Sequence, residues 1–294
     1  MMKCASFISK PYSKLIRRLT FHQSRNMAEK SNMTRQIVKE GYTDGAHYDK
    51  FRPDYTPETT SEIVRMLTVD YEANSGERCD ILELGAGTGK LTSHLHKQLP
   101  SDLKFVATEP MEGFLKTLRE QCPDVTSTQC AATSLPFPDN SIQSVVAAQC
   151  FHWFANETSM REITRVLKPN GNFILVWNIQ DVSVDWVDAV TKKALTFFGD
   201  EPQYLKFWWK DAIDAFPGLR LKIRKKLNYP TAEYTIEDLK TFHSTLSAFA
   251  RMSPGDKEEA LGEIEKVVRT HPATAGKTVL QYPRIVDLLQ YVKQ

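Results

Sequence analysis

The residues of this chain able to do chemistry are two acids that close apolar runs, Glu83 and Glu109, the glycine run Gly85-Ala86-Gly87-Thr88-Gly89 between them, and His152 in the aromatic stretch FHWF. A glycine run after an apolar segment lets a ligand approach bare backbone. It does not read as a phosphate-gripping P-loop. Counting back from Gly89-Lys90, the GxxxxGK[ST] pattern would need a glycine where Leu84 stands and a hydroxyl where Leu91 stands. The dinucleotide pattern GxGxxG fails as well, because Gly87 and Gly89 are separated by a single residue.

The acids narrow the ligand further. A carboxylate at Glu83 is hostile to a pyrophosphate and suits an ammonium. Glu109 stands about twenty residues beyond the glycines, where an acid can take both hydroxyls of a ribose. A ligand with a ribose, an amino group and no phosphate satisfies both, and S-adenosylmethionine has those features. The start of the following helix, near Thr88, would direct N–H groups at its carboxylate.

These residues need a frame. Thr56-Pro57-Glu58 carries an N-cap, a proline at the first helical position and an acid in the first turn, so a helix is expected there. Strand-like runs at Cys79–Leu84, Leu103–Thr108, Val125–Ala131, Gln143–Gln149 and Asn172–Trp177 alternate with helical spacing at Thr88–Leu99, Glu112–Gln121 and Glu157–Leu167. Continuous apolar strands separated by helices predict a doubly wound α/β fold, a mostly parallel sheet covered on both faces. After Trp177 the pattern becomes Trp- and Phe-rich helix, a basic strand at Arg220–Tyr229, a long polar helical stretch at Ile236–Thr270 and a last strand near Lys277–Leu289. We read this as a helical cap inserted around two edge strands, completing a seven-stranded sheet. One domain over 34–294 is expected, with a cofactor-binding core at 46–178 and cap and edge strands at 179–294.

At this point the chain resembles the class I S-adenosylmethionine-dependent methyltransferases, in the branch called methyltransferase type 11, and is most similar to the trans-aconitate methyltransferase-like group. The stretches that carry the resemblance are HYDKFRPDYTPE, ILELGAGTGKLT, ATEPMEGFLKTLRE, AATSLPFPDNSIQSVVAAQCFHWF and LKPNGNFILVWN. It implies that Glu83 meets the methionine amino group, with Gly85, Ala86 and Gly87 lining that moiety. It implies that Glu109 binds the ribose, Met111 lies along the adenine, Ala132 and Thr133 edge the ring, and Gln149 borders the methionine end. Tyr48 and Arg52 would fold over the cofactor as a lid. Three positions depart from the pattern: Ala131 and Thr133 stand before LPF where relatives often carry an acid, and Gln143 replaces a common aspartate. The reaction implied is in-line transfer of a methyl group to a small molecule. A carboxylate acceptor needs no base and could be held by Arg52 or Arg161. A hydroxyl, amine or thiol would need one, and His152 is the candidate, against the plainer reading of a histidine within the core.

Composition agrees with a globular chain of 294 residues. Six of its 38 Lys/Arg lie in residues 1–28, before the first acid, Glu29, so the remainder is slightly acidic and no pull towards nucleic acid is indicated. No run reaches the about 18 apolar residues of a membrane span. Five cysteines without CxxC spacing read as free thiols, with Cys150 a small buried residue, and no metal-ligand spacing occurs. The acid-free leader has the composition of a mitochondrial transit peptide; a start at Met27 would leave the protein cytoplasmic. Trp177, Trp186, Trp208 and Trp209 read as packing residues, and RLKIRKK as a solvated face guarding a sheet edge. A monomer or homodimer is expected. The rival readings are a non-catalytic binding protein of the same fold and a nicotinamide-dependent oxidoreductase.

Overall fold

The computed structural model describes residues 52–68 and 80–294; the leader and Tyr48 lie outside them. The first described helix, α1 (Pro57–Leu67), begins as the sequence suggests, with Thr56 capping the Thr59 amide and a proline in the first turn. There follow β1 (Ile81–Leu84), α2 (Lys90–Gln98), β2 (Phe105–Thr108), α3 (Glu112–Gln121), β3 (Thr126–Thr128), β4 (Ile142–Ala148), the single turn α4 (Phe151–Phe154), α5 (Glu157–Val166) and β5 (Leu167–Gln180). The downstream part contains α6 (Asp185–Leu195), α7 (Trp208–Asp214), β6 (Leu219–Asn228), β7 (Ala232–Tyr234), α8 (Ile236–Ser244), α9 (Ser247–Ala250), α10 (Pro254–Thr270), β8 (Leu280–Tyr282) and β9 (Arg284–Lys293).

Seven strands form one sheet in the order β3-β2-β1-β4-β5-β9-β6. The first five pair in parallel, while β9 runs antiparallel to both neighbours. Alternation along the strands buries both faces. Val145, Phe173, Leu175 and Trp177 join one apolar cluster with Met160 and Ile163 of α5, whereas Val146, Ile174 and Val176 join another with Ile63 and Met66 of α1 and Leu91 and Leu95 of α2. The chain runs outward from β1 to β3 and then returns to place β4 on the other side of β1. That reversal opens a crevice beyond the carboxyl ends of β1 and β4.

The downstream part differs from expectation in two ways. The stretch Ile236–Thr270 is three helices, because a new start is written into it: Ser253 caps the Asp256 amide and Pro254 opens α10. The last strand is two, divided at Pro283, and they join different sheets: β8 pairs with β7 in a separate two-stranded sheet while β9 enters the main one. Upstream, β3 is shorter than Val125–Ala131, and β5 is longer than Asn172–Trp177 at both ends. The cap has its own core of Trp186, Phe249, Ile264 and Tyr282 among others. Trp177 and Trp209 stack in the sheet's core with ring centroids 4.4 Å apart, and Trp208 is partly buried at its margin. The basic strand β6 is the sheet edge, as its charge pattern suggests. No helix among the described residues is long and apolar enough to cross a membrane.

Candidate active site

The glycine run leaves β1 in left-handed backbone, with φ of 63° at Gly85, 60° at Gly87 and 95° at Gly89. A side chain there is strained, but the space around the glycines differs. A Cβ on Gly85 would stand 2.9 Å from Cys150 Sγ, whereas one on Gly87 would meet nothing within 4 Å. The Cys150 thiol occupies its place by donating to the Leu84 carbonyl at 3.1 Å. The helix begins at Lys90, two residues later than Thr88, and the Gly87 amide turns to Glu109 Oε2 at 2.9 Å. The loop is thereby fastened to the end of β2.

Both acids are buried. Glu83 is 1% exposed and accepts from the Thr92 hydroxyl at 2.7 Å. Glu109 is 4% exposed and accepts from the amides of Gly87 and Met111, each at 2.9 Å. Burial pushes Glu83 up to about 8, aided by the neighbouring Glu109 charge, and pushes Glu109 up to about 7 against the pull of its two amides. Neither has an ion-pair partner among the described residues. Two buried carboxyls lacking a cation form a site short of positive charge and of hydrogen-bond donors.

They face one cavity of about 680 Å³. Of the residues singled out in the sequence, Arg52, Glu83, Gly85, Ala86, Gly87, Glu109, Met111, Ala132, Thr133, Gln149 and His152 all line it. Gln149 closes β4 with φ 60°, a left-handed conformation costly for a side-chain-bearing residue. Arg161 is not in the cavity wall: it is exposed on α5 and paired with Glu157 one turn away, which removes it as a substrate-holding residue.

His152 is buried in α4, and its geometry bears on which proton it could give or take. The Trp177 indole N–H, which can only donate, reaches Nδ1 at 3.2 Å. Nδ1 is therefore the bare nitrogen and the proton sits on Nε2. Burial, with the nearby Arg52 charge, holds the ring down at about 3, so it is neutral. Towards the cavity His152 is a hydrogen-bond donor, and its lone pair is already taken.

The surroundings match known proteins. The family model described as "Methyltransferase domain" matches residues 82–175. An uncharacterised methyltransferase-like protein of Schizosaccharomyces pombe is 35% identical over 242 residues, covering 82% of this chain and 90% of that one. This chain belongs to the S-adenosylmethionine-dependent methyltransferases. Solved structures agree on the fold. A candidate type II methyltransferase of Anaeromyxobacter dehalogenans superposes with a TM-score of 0.54 at 22% identity, covering 82% of this chain and 96% of that one. A phosphoethanolamine N-methyltransferase of Haemonchus contortus, solved with phosphomonomethylethanolamine and S-adenosylhomocysteine, gives 0.50 at 16% identity, covering 88% of this chain and 60% of that one.

The methyltransferase takes S-adenosylmethionine as its cofactor, and the residues present fit it. The uncompensated acids ask for an ammonium and for hydroxyl donors, and the open space beside Gly87 admits a ligand against the backbone. The opposite end of the methyltransferase cavity is built from residues the sequence did not single out: Asn178, Tyr204, Phe242, His243 and Ser247 among them. They come from β5, the Gln203–Phe207 turn and the cap helices, which lie far along the chain and carry no motif. Only their shared neighbourhood with Arg52, whose guanidinium donates to the Thr245 carbonyl at 3.1 Å, identifies them.

Proposed function

We propose that this methyltransferase transfers the methyl group to a small carboxylic acid bound at the cap end of the cavity. The observation that carries this reading is the Arg52 guanidinium, which lines the same cavity as Glu83 and Glu109, is held to the cap through the Thr245 carbonyl and lies near two neutral histidines, His152 and His243. At about 680 Å³ the space is within the usual range for small-molecule sites, about 300–1,000 Å³.

When bound, S-adenosylmethionine supplies a methyl group made electrophilic by its positively charged sulfur. The protein's part is to hold and orient. Glu83 takes the ammonium, Glu109 the two ribose hydroxyls, and Met111, Ala132 and Thr133 border the adenine. Gly85, Ala86, Gly87 and Gln149 line the methionine end. The acceptor's carboxylate is drawn to the Arg52 guanidinium and accepts from the Nε2–H of His152. An ionised carboxylate is already a nucleophile, which accords with a site whose histidine offers a proton rather than removing one. Orientation in a water-poor enclosure can account for about 7–11 kcal/mol of the barrier.

Labelled methyl transfer to a panel of metabolite-sized acids and their amides tests the reading. Acids should be methylated and amides not. Arg52→Gln should keep S-adenosylhomocysteine affinity within a few-fold while raising KM for the acid by about tenfold or more. Equal transfer to amides, or an Arg52→Gln enzyme with unchanged KM, would discard the carboxylate.

A further inference from the structure

The second histidine at the cap end is set in the opposite sense to His152. On α8, His243 places Nδ1 2.8 Å from the carbonyl oxygen of Leu239. A carbonyl can only accept, so Nδ1 carries the proton and Nε2 is left as a bare acceptor beside the cavity. Asn178 behaves likewise. Its Nδ2 donates to the Asp54 carbonyl at 3.0 Å, which fixes the amide's orientation, and its Oδ1 is buried without a partner. Asn178 is 8% exposed and His243 2%, and both line the cavity. The Asn178 oxygen is covered by protein, where a polar atom left unpaired costs about 1–3 kcal/mol, and the His243 lone pair is the fixed acceptor in the cavity wall, an arrangement that wants a donor.

Charge decides what kind of donor completes it. Burial holds the His243 ring neutral, and the Arg284 and Arg52 guanidiniums add to that. Arg284 is 4% exposed and lies over the rings of Phe242, Tyr234 and Tyr282 at 4.9, 5.2 and 5.2 Å, with no ion-pair partner among the described residues. A second cation, such as a protonated amine, would be repelled there.

We infer that His243 Nε2 accepts a hydrogen bond from a neutral hydroxyl of the methyl acceptor, making this methyltransferase selective for hydroxylated acids. The inference rests on the carboxylate reading for the acid and on the His243 acceptor for the hydroxyl. His243 is then a specificity-determining residue of α8.

The test pairs each acid with its deoxy analogue, and adds neutral alcohols that lack the carboxylate, in a labelled methyl transfer assay run alongside calorimetry with S-adenosylhomocysteine. The hydroxylated acid should exceed its deoxy partner in kcat/KM by at least about tenfold. His243→Phe should erase that preference, and His243→Gln, whose side-chain oxygen is again an acceptor, should restore part of it. All three proteins should bind S-adenosylhomocysteine alike, which also shows that they are folded. Equal rates on hydroxylated and deoxy acids, a preference surviving in His243→Phe, or no transfer to any hydroxylated compound would overturn the inference. Transfer to neutral alcohols but not to acids would leave the hydroxyl site standing and remove the carboxylate reading; transfer to deoxy acids alone would do the reverse.

Discussion

At the scale of single residues, the two buried carboxyls combine binding with a proton equilibrium. Both have pKa values raised from about 4.5, to about 8 for Glu83 and about 7 for Glu109. The folded state without cofactor holds protons that the unfolded chain releases near 4.5, so these acids cost no stability below that pH and cost more as pH rises towards 7 to 8. An ammonium and two hydroxyls favour the ionised forms, so binding releases protons. S-adenosylhomocysteine should therefore bind more tightly at about pH 8.5 than at about pH 6, with proton release detectable by calorimetry in buffers of different ionisation enthalpy. Glu83→Gln should weaken binding and flatten that dependence; a wild-type affinity that does not vary with pH would refute it. Glu109 also holds the glycine loop. Glu109→Ala should reduce cofactor affinity at least about tenfold and lower stability without cofactor by about 1–3 kcal/mol, since two amides lose their acceptor. Glu109→Gln keeps an acceptor oxygen and should lie between.

At the scale of elements, the turn from β1 into α2 separates glycines the fold needs from one the ligand needs. Gly85 and Gly87 have nearly the same φ, so an alanine at either meets a similar conformational cost of about 1–2 kcal/mol. Gly85→Ala adds a clash with Cys150, which sits at the start of α4 and is held to the Leu84 carbonyl. Gly87→Ala projects only into the cavity. Thermal melts should show Gly85→Ala as the less stable of the two without cofactor. Calorimetry should show Gly87→Ala losing S-adenosylhomocysteine affinity out of proportion to its modest loss of Tm. Similar melts and similar affinities for the pair would mean that the loop packs otherwise.

At the scale of the whole molecule, β9 joins the cap to the sheet. It lies between β5 and β6, and its Asp287, fully buried, accepts from Nε and Nη2 of Arg224 on β6 at 2.9 and 2.7 Å and from the Tyr204 hydroxyl on the cavity side. Arg224, partly exposed at the edge strand, compensates the fully buried Asp287 charge, and removing the arginine strands it. Arg224→Met should cost about 3–5 kcal/mol, while the double change Arg224→Met with Asp287→Leu should cost clearly less, because an apolar pair leaves no buried charge. Denaturant unfolding of the three proteins measures both values. A double variant as unstable as the single one would show that packing, and not charge, holds this junction.

Much of this was legible in the sequence because it depends on neighbours along the chain. Continuous apolar runs alternating with helices predict the doubly wound sheet, and glycines and acids at the ends of β1 and β2 reach the crevice wherever such strands lie in parallel. Those residues, from Glu83 to Gln149, stand together in the cavity wall. What the tertiary structure alone decided concerns partners distant in sequence. Whether His152 gives or takes a proton depends on the Trp177 indole of β5, and His243 and Asn178 enter the site only because the cap helices and the far end of β5 meet over it. Pro283, which the sequence reading passes over within a single strand, is a branch point because β8 pairs with β7 and β9 fills the gap between β5 and β6. The physical reason is the range of the forces: backbone propensity and apolar periodicity act within a few residues and are written in order, whereas a tautomer or a strand's partner is fixed by contacts that exist only once the chain has closed on itself.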